Sequence, residues 1–209
     1  MITLTPITEP AKLDEYYRFR YRIYRESRQV GFLKDKSGID KDSFDDRAKH
    51  YGWYVDDELA GCVRFVEPDD NEKPLPMFDY LTDRSVIDVV GVYIAMRKAH
   101  HQRMVEASRY CLAPEHRGLR TAKEFVLAMI RTMQPLGYKH GLFDCDARHG
   151  AFYSLLGFDD LNAVGAIRLT GLDYMACIKQ YDFAKVLARN PGMMEGTGFK
   201  MACAESKAA

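Results

Sequence analysis

Phe125, Val126, Met129, Ile130 and Met133 form one apolar stripe on a helix predicted over residues 121–133, and such a stripe must be covered by another element. Pro135 and Gly137 stop this helix. Apolar runs with strand character flank it, residues 106–113, ended by Pro114, and residues 141–146. Further on, residues 149–156 read as a short helix stopped by Gly157, residues 166–169 and 174–179 as strands, and residues 182–189 as a last helix. Upstream, Leu13, Tyr16, Tyr17, Ile23 and Tyr24 give residues 11–28 helical periodicity, and residues 29–50 read as a polar loop. Residues 50–55 and 59–66 read as a hairpin turning at Asp56-Asp57-Glu58. A loop with Pro68, Pro74 and Pro76 follows, then a short helix over 79–83 and a mixed apolar segment over 86–96 whose pattern assigns no element. A hairpin first, and alternating strands and helices later, imply an α/β (α+β) sheet with helices on its faces.

With 209 residues, 47% of them hydrophobic, the chain can bury one sizeable core. One domain over 1–209 is expected, frayed at about 1–10 and 202–209. Thirty basic and thirty acidic residues leave no net charge, which argues against a nucleic-acid binder. Two local basic stretches remain, 97–103 and 117–123. Cys62, Cys111, Cys145, Cys177 and Cys203 are odd in number and widely spaced, without metal-ligand spacing, so reduced thiols are expected, the first four as small core residues. No leader pattern and no apolar run of membrane-spanning length is visible, so the expected location is cytoplasmic.

The residues suited to chemistry cluster in two places. Val105-Glu106-Ala107-Ser108-Arg109-Tyr110 carries a carboxylate and a guanidinium on one strand, and Asp40, Asp42 and Asp45 crowd the upstream loop. An amine is a nucleophile only when neutral, and an α-amino group has a pKa near ~8, so one nearby base suffices to prepare it. A carboxylate on a buried strand has a raised pKa and suits that role. On a regular strand, however, Glu106, Ser108 and Tyr110 share one face and Arg109 points to the other. Both serve one site only if the strand is bulged; otherwise Arg109 braces the opposite layer. The plainer readings are a salt bridge of Glu106 with Arg64 or Arg109, solvated loop aspartates, a core Tyr153 and a surface pair His100-His101. The aspartate loop lacks the acidic residue that closes an EF-hand, and no metal site is expected. The junction 114–122 leads from strand to helix, where free N–H groups favour phosphate.

Two segments resemble the GNAT N-acyltransferase fold. Arg117-Gly118-Leu119-Arg120-Thr121-Ala122 is similar to its pyrophosphate loop R/Q-x-x-G-x-G/A, with Arg120 where the central glycine belongs, a side chain that crowds the approach of a CoA diphosphate. Ala151-Phe152-Tyr153-Ser154-Leu155-Leu156-Gly157-Phe158 is similar to its aromatic-Tyr…Leu-Gly-Phe segment. The first half resembles the acyl-homoserine-lactone synthases, a branch of that fold. Arg20-Tyr21-Arg22-Ile23-Tyr24 is similar to their R-x-x-V-F helix, Gly38-Ile39-Asp40-Lys41-Asp42-Ser43-Phe44-Asp45 to G-x-E-x-D-x-x-D, Arg64-Phe65-Val66 to the strand with their arginine, and Glu106-Ala107-Ser108-Arg109-Tyr110 to E-x-S-R-F. The family has a tryptophan after the helix motif; here the position is about Val30, followed by Gly31-Phe32, and the one tryptophan is Trp53.

The resemblance implies a central mixed, mostly antiparallel twisted sheet flanked by helices. It implies transfer of a fatty acyl group from acyl carrier protein to the amine of S-adenosylmethionine with lactone closure, or, as in the N-acyl amino acid synthases, to an amino acid. These are bacterial families of autoinducer and quorum-sensing chemistry. By position, Glu106, Ser108, Arg109 and Tyr153 would be catalytic, Glu106 accepting the amine proton or orienting a water and Tyr153 protonating the leaving thiolate. Arg20, Tyr24, Asp42, Asp45, Arg64, Phe143 and Phe152 would form the substrate pocket, with Leu155 beside the acyl chain. Arg117, Gly118, Arg120 and Thr121 would meet the donor, acyl-ACP or acyl-CoA, and both basic stretches the acidic carrier. No tightly bound cofactor is expected. An acetyl-CoA-dependent N-acetyltransferase and a non-catalytic binding protein on the same fold are the alternatives.

Overall fold

The computed structural model describes residues 1–161 and 164–191. Its strands are β1 (Thr5–Pro6), β2 (Lys49–Val55), β3 (Glu58–Val66), β4 (Met104–Leu112), β5 (His140–Asp146), β6 (Asp159–Asp160), β7 (Ile167–Arg168) and β8 (Met175–Asp182). Its helices are α1 (Pro10–Arg25), α2 (Arg84–Ala99), α3 (Leu119–Met133), α4 (Gly150–Leu156) and α5 (Phe183–Arg189). The strands join in the order β1-β2-β3-β4-β5-β8-β6, with β7 also on β8. Every pairing is antiparallel except β4–β5, which is parallel.

The β2–β3 hairpin turns on Asp56 and Asp57, at φ 49° and 63°. Aspartate tolerates this left-handed region, and two such residues match the twist of the flanking strands. Alternation along the strands divides the core into two layers. Cys62 and Val66 of β3, Met104 of β4 and Leu142 of β5 face α1 and α2, where Tyr16, Tyr24, Val90 and Ile94 cover them. Val63, Phe65, Val105 and Phe143 face α3, α4 and α5, under Phe125, Ile130, Tyr153 and Phe183. The α3 stripe is buried as its periodicity requires.

Three elements differ from expectation. Residues 86–96 belong to α2, which starts at an N-cap where the Asp83 side chain accepts from the Ser85 N–H. The expected helix over 79–83 is instead a 3₁₀ turn over Pro76–Asp79. Residues 1–10 are not frayed: β1 pairs with β2, and Ile2, Leu4 and Ile7 are buried. Residues 202–209 and Cys203 lie outside the described residues. The four described cysteines are buried; Cys62 stands opposite Cys111, and Cys145 opposite Cys177 with their sulfurs 3.4 Å apart. No described helix is long and apolar enough to cross a membrane.

Candidate active site

The parallel pairing of β4 with β5 lasts only from Met104↔His140 to Glu106↔Leu142. Beyond it β4 continues to Leu112 and β5 to Asp146 without pairing to each other, so the sheet opens there. A cavity of about 520 Å³ fills the opening, a size ordinary for a small-molecule site. One end lies in the α1 layer, lined by Tyr24, Phe32, Tyr80, Glu106, Asp144 and Tyr174. The other is apolar, lined by Val126, Met129, Ile130, Phe143, Phe152 and Phe158, and reaches Arg117, Gly118, Leu119 and Ala122 at the start of α3. A substrate can therefore pass through the plane of the sheet at its one parallel junction.

The register of β3 with β4 shifts between Cys62↔Cys111 and Arg64↔Ser108. β4 holds an extra residue there, and Arg109 sits at φ 53°. This is a β-bulge. It brings Ser108 and Arg109 to the same layer: Ser108 Oγ accepts from Arg64 Nε at 3.1 Å, while Arg109 meets Asp40 at 3.0 Å and Asp42 at 3.3 Å and donates to the Tyr80 hydroxyl at 3.2 Å. Tyr110 is thereby turned into the α3 layer against Phe125.

Behind the cavity wall lies an ion network. Arg20 meets Asp40 and Asp45, each at 2.7 Å, and Arg64 meets Asp42 at 2.7 Å and Asp45 at 3.1 Å. With Arg109, three guanidiniums balance three carboxylates, all buried. Burial alone would raise the Asp45 pKa, but Arg20 and Arg64 outweigh it and hold the carboxyl well below the usual range. His50 Nε2 lies 3.0 Å from the Asp45 carbonyl and so donates to it; burial lowers its pKa and keeps it neutral. Arg20, Arg64, Asp42 and Asp45 do not line the cavity. They shape its wall by fixing Arg109 and the loop 40–45, whereas Tyr24, Ser108 and Arg109 border the space itself.

Glu106 is 1% exposed, and its Oε2 accepts from the Met77 N–H at 3.2 Å. Burial first, and then the charge of Asp144, push its pKa up to about 8. Asp144 is half-buried, faces the cavity and is itself raised by burial to about 6, against the pull of Arg109. The Glu106 shift has a consequence for stability. A raised folded-state pKa means stability present at low pH and lost as pH rises through about 8, because the unfolded chain ionises first. Glu106→Gln removes that loss. Its melting temperature is expected to exceed that of the native protein by a margin that widens from pH 5 to pH 9, as thermal scans will read.

Tyr153 borders the cavity with its ring 4.6 Å from Phe143 and 5.1 Å from Phe152, and burial raises its hydroxyl pKa well above the ordinary value. Three expectations require correction. Leu155 is 73% exposed on the outer face of α4 and does not flank an acyl chain. Arg120 does not enter the cavity: its side chain is 93% exposed and pairs with Glu124 at 3.2 Å, one turn along α3. Thr121 also does not line the cavity, whereas Arg117 and Gly118 do. Basic residues 97–103 precede the start of β4, a strand's length from the α3 end, and Arg97, Lys98 and Arg103 already bind Gln102, Asp70 and Glu67. Phe32, two residues past the position where the resembled family has a tryptophan, lines the cavity, while Trp53 packs on His116 and Phe125 in the other layer.

Residues 19–127, just over half of the chain, match the family model described as the acetyltransferase (GNAT) domain. The chain belongs to the GNAT acetyltransferase family. It is accordingly an acyltransferase, and the opening beside β4 is the candidate active site of this GNAT enzyme. Its fold is similar to that of FeeM, an N-acyl amino acid synthase from uncultured soil microbes, with TM-score 0.65 and 16% identity over 93% of this chain and 97% of that one. It is also similar to the AHL synthase LasI, with TM-score 0.67 and 12% identity over 92% and 94%. The CoA-dependent acyl-homoserine lactone synthase MesI matches with TM-score 0.65 and 17% identity over 95% and 97%. At these identities the likeness shows a shared GNAT fold. A comparison with curated protein sequences gives no match.

Proposed function

We propose that this GNAT enzyme is an N-acyltransferase that moves a fatty acyl group from an acyl thioester to the amine of a small acceptor, an amino acid or S-adenosylmethionine. The product is an N-acyl amino acid or, after ring closure, an acyl-homoserine lactone. The observation that carries this reading is the cavity through the sheet, with carboxyl groups at one end and a long apolar limb leading to the α3 N-terminus at the other. The acceptor enters the α1 layer between Tyr24, Phe32 and Tyr80. The acyl chain occupies the limb along Met129, Phe143 and Phe152, and the thioester carbonyl lies at the opening. There the β4 backbone groups that face β5 beyond Glu106 lack a strand partner, and an N–H among them can donate to the developing oxyanion.

The step conserves atoms. The acceptor ammonium gives one proton to a carboxylate at the opening, its nitrogen forms a bond to the carbonyl carbon, and the C–S bond breaks. The thiolate leaves with the second nitrogen proton, passed through the Tyr153 hydroxyl. A cavity of about 520 Å³ with an apolar limb lined by Val126, Met129, Ile130, Phe143, Phe152 and Phe158 exceeds the needs of an acetyl group, which favours longer chains. Because Arg120 points to solvent, it does not oppose a CoA donor, and acyl-CoA remains beside acyl carrier protein as the thioester source. Mass spectrometry of lipid extracts from cells expressing the chain, beside the double variant Glu106→Gln with Asp144→Asn, tests the reading. A new N-acyl amino acid or acyl lactone is expected in the first culture only; its absence from both would count against the function.

The carrier is addressed through Arg117, Arg120 and Lys123 around the α3 end of the cavity. An acidic carrier protein would be steered by this edge. Arg120→Glu is expected to raise KM for a carrier-bound donor on the order of tenfold and to leave a free pantetheine thioester unaffected, with rising salt imitating the substitution. Equal effects on both donors would remove the carrier from the account.

A further inference from the structure

We propose that Asp144 is the carboxylate that receives the acceptor's ammonium and removes its proton, with Glu106 as its protonated partner. The inference rests on the N-acyltransfer reading and assigns the proton to one residue. It starts from the register of β4 with β5. The last pair is Glu106↔Leu142, and side chains alternate along β5, so Asp144 follows Leu142 on the same face. Its carboxylate therefore stands one step past the last pair, where the strands part, in the layer that holds Glu106.

Accessibility separates the two carboxyl groups. Glu106 is 1% exposed, and one of its oxygens is occupied by the Met77 N–H. Asp144 is half-buried only because it borders the cavity. Charge pairing separates Asp144 from its neighbours as well. Asp40, Asp42 and Asp45 are held by Arg20, Arg64 and Arg109, and Asp146 by Arg148 at 2.6 Å and Arg28 at 3.5 Å. Asp144 has no ion pair among the described residues; a backbone N–H and the pull of Arg109, which is engaged by Asp40 and Asp42, are what oppose its burial. A desolvated carboxylate with no cation in contact is costly, and a ligand that brings an ammonium relieves that cost.

Two carboxyl groups in one desolvated site do not both ionise easily. With Asp144 at about 6 and Glu106 at about 8, Glu106 keeps its proton at neutral pH and Asp144 is the ionised member. A protonated acid cannot deprotonate an amine; an ionised Asp144 can. The titratable groups within electrostatic reach of Asp144 are Arg109 and Glu106 on β4, Tyr153 on α4, Tyr174 ahead of β8, and the thiols of Cys145 and Cys177. Of these, Arg109 alone carries charge at neutral pH, and its network already engages it. In the reaction one ammonium proton passes to Asp144, the neutral nitrogen bonds to the thioester carbon, the C–S bond breaks, the second nitrogen proton goes to the leaving thiolate so that a thiol departs, and Asp144 returns its proton to solvent.

The test compares Asp144→Asn with Glu106→Gln in two measurements. The first is kcat against pH at saturating amine. Asp144→Asn is expected to lower kcat by about 10²- to 10⁴-fold and to abolish the acid limb near pH 6, with KM for the thioester unchanged. Glu106→Gln imitates the protonated partner and is expected to lose less than about tenfold and to keep that limb. The reverse pattern, an active Asp144→Asn and an inactive Glu106→Gln, overturns the proposal. The second measurement needs no turnover: infrared titration of the protonated carboxyl stretch in the unliganded protein. Asp144→Asn is expected to move the Glu106 midpoint down from about 8, and an unmoved midpoint overturns the proposal. If the native protein acylates no amine, the N-acyltransfer reading fails on its own, and the infrared arm still decides the carboxyl pair.

Discussion

Replacing Arg64 with methionine is expected to lower the unfolding free energy by about 3–5 kcal/mol, the usual cost of removing one partner from a buried ion pair. Methionine keeps much of the apolar volume but strands Asp42 and Asp45, which Arg64 meets at 2.7 Å and 3.1 Å, and leaves Ser108 Oγ without its 3.1 Å donor. With three cations against three anions in the network, the loss leaves a net negative charge in a buried layer. The control is Arg18→Met, which removes an exposed 2.7 Å pair with Asp14 and should cost less than about 1 kcal/mol. Urea unfolding of both variants reads the difference, and comparable losses would show that the network is not the buried unit described. The same network predicts acid sensitivity. Asp45 has a folded-state pKa below its unfolded value of ~3.9, so its contribution is complete above that value and is lost as pH falls through the folded one. Asp45→Asn should flatten the fall in stability below about pH 4.

Ala122→Trp is expected to reduce kcat/KM for a long-chain thioester by on the order of 100-fold, because a donor displaced by an ångström or so loses its attack geometry. Ala122 lies in the first turn of α3, is half-buried and borders the cavity beside Gly118 and Val126. An indole there enters the apolar limb without touching Glu106, Asp144 or the ion network. The loss should grow with acyl length and be small for an acetyl donor. Kinetics over a donor series, with the melting temperature as a check on the fold, give the result. A loss independent of chain length would place the acyl group elsewhere.

Periodicity made much of the fold legible. The α1 and α3 stripes, the β2–β3 hairpin and the glycine stop at Gly157, which adopts φ 100°, follow from local rules. α2 was hidden because Val86, Ile87, Val89, Val90 and Val92 make an apolar, β-branched run with little contrast between faces; Val92 and Met96 remain exposed. Its start was nonetheless marked by Asp83 two residues before Ser85. β1 and β6, two residues each, exist only through their partners β2 and β8 and have no local signature.

The site was legible in one half. Glu106, Arg109 and the aspartate loop stand out as charges in or beside apolar runs. Simple alternation placed Arg109 on the wrong face, and only the bulge at φ 53° corrects it. Asp144 does not stand out in the sequence because it sits inside a run read as a buried strand. Its place at the cavity comes from β4 and β5 lying side by side and then parting, a tertiary fact no local pattern contains. Leu155 failed through helix phase: Gly150, Tyr153 and Leu156 make the buried face of α4, and Leu155 lies outside it.

The central claim is that amine and acyl thioester meet in one cavity and exchange the acyl group there. A single-turnover reaction of the purified protein with an acyl thioester and a panel of amines, following free thiol and amide by mass spectrometry, tests it most directly. The account expects thiol and amide in equal amounts with at least one α-amino acceptor. Thiol released without amide, or no release with any amine, would contradict it.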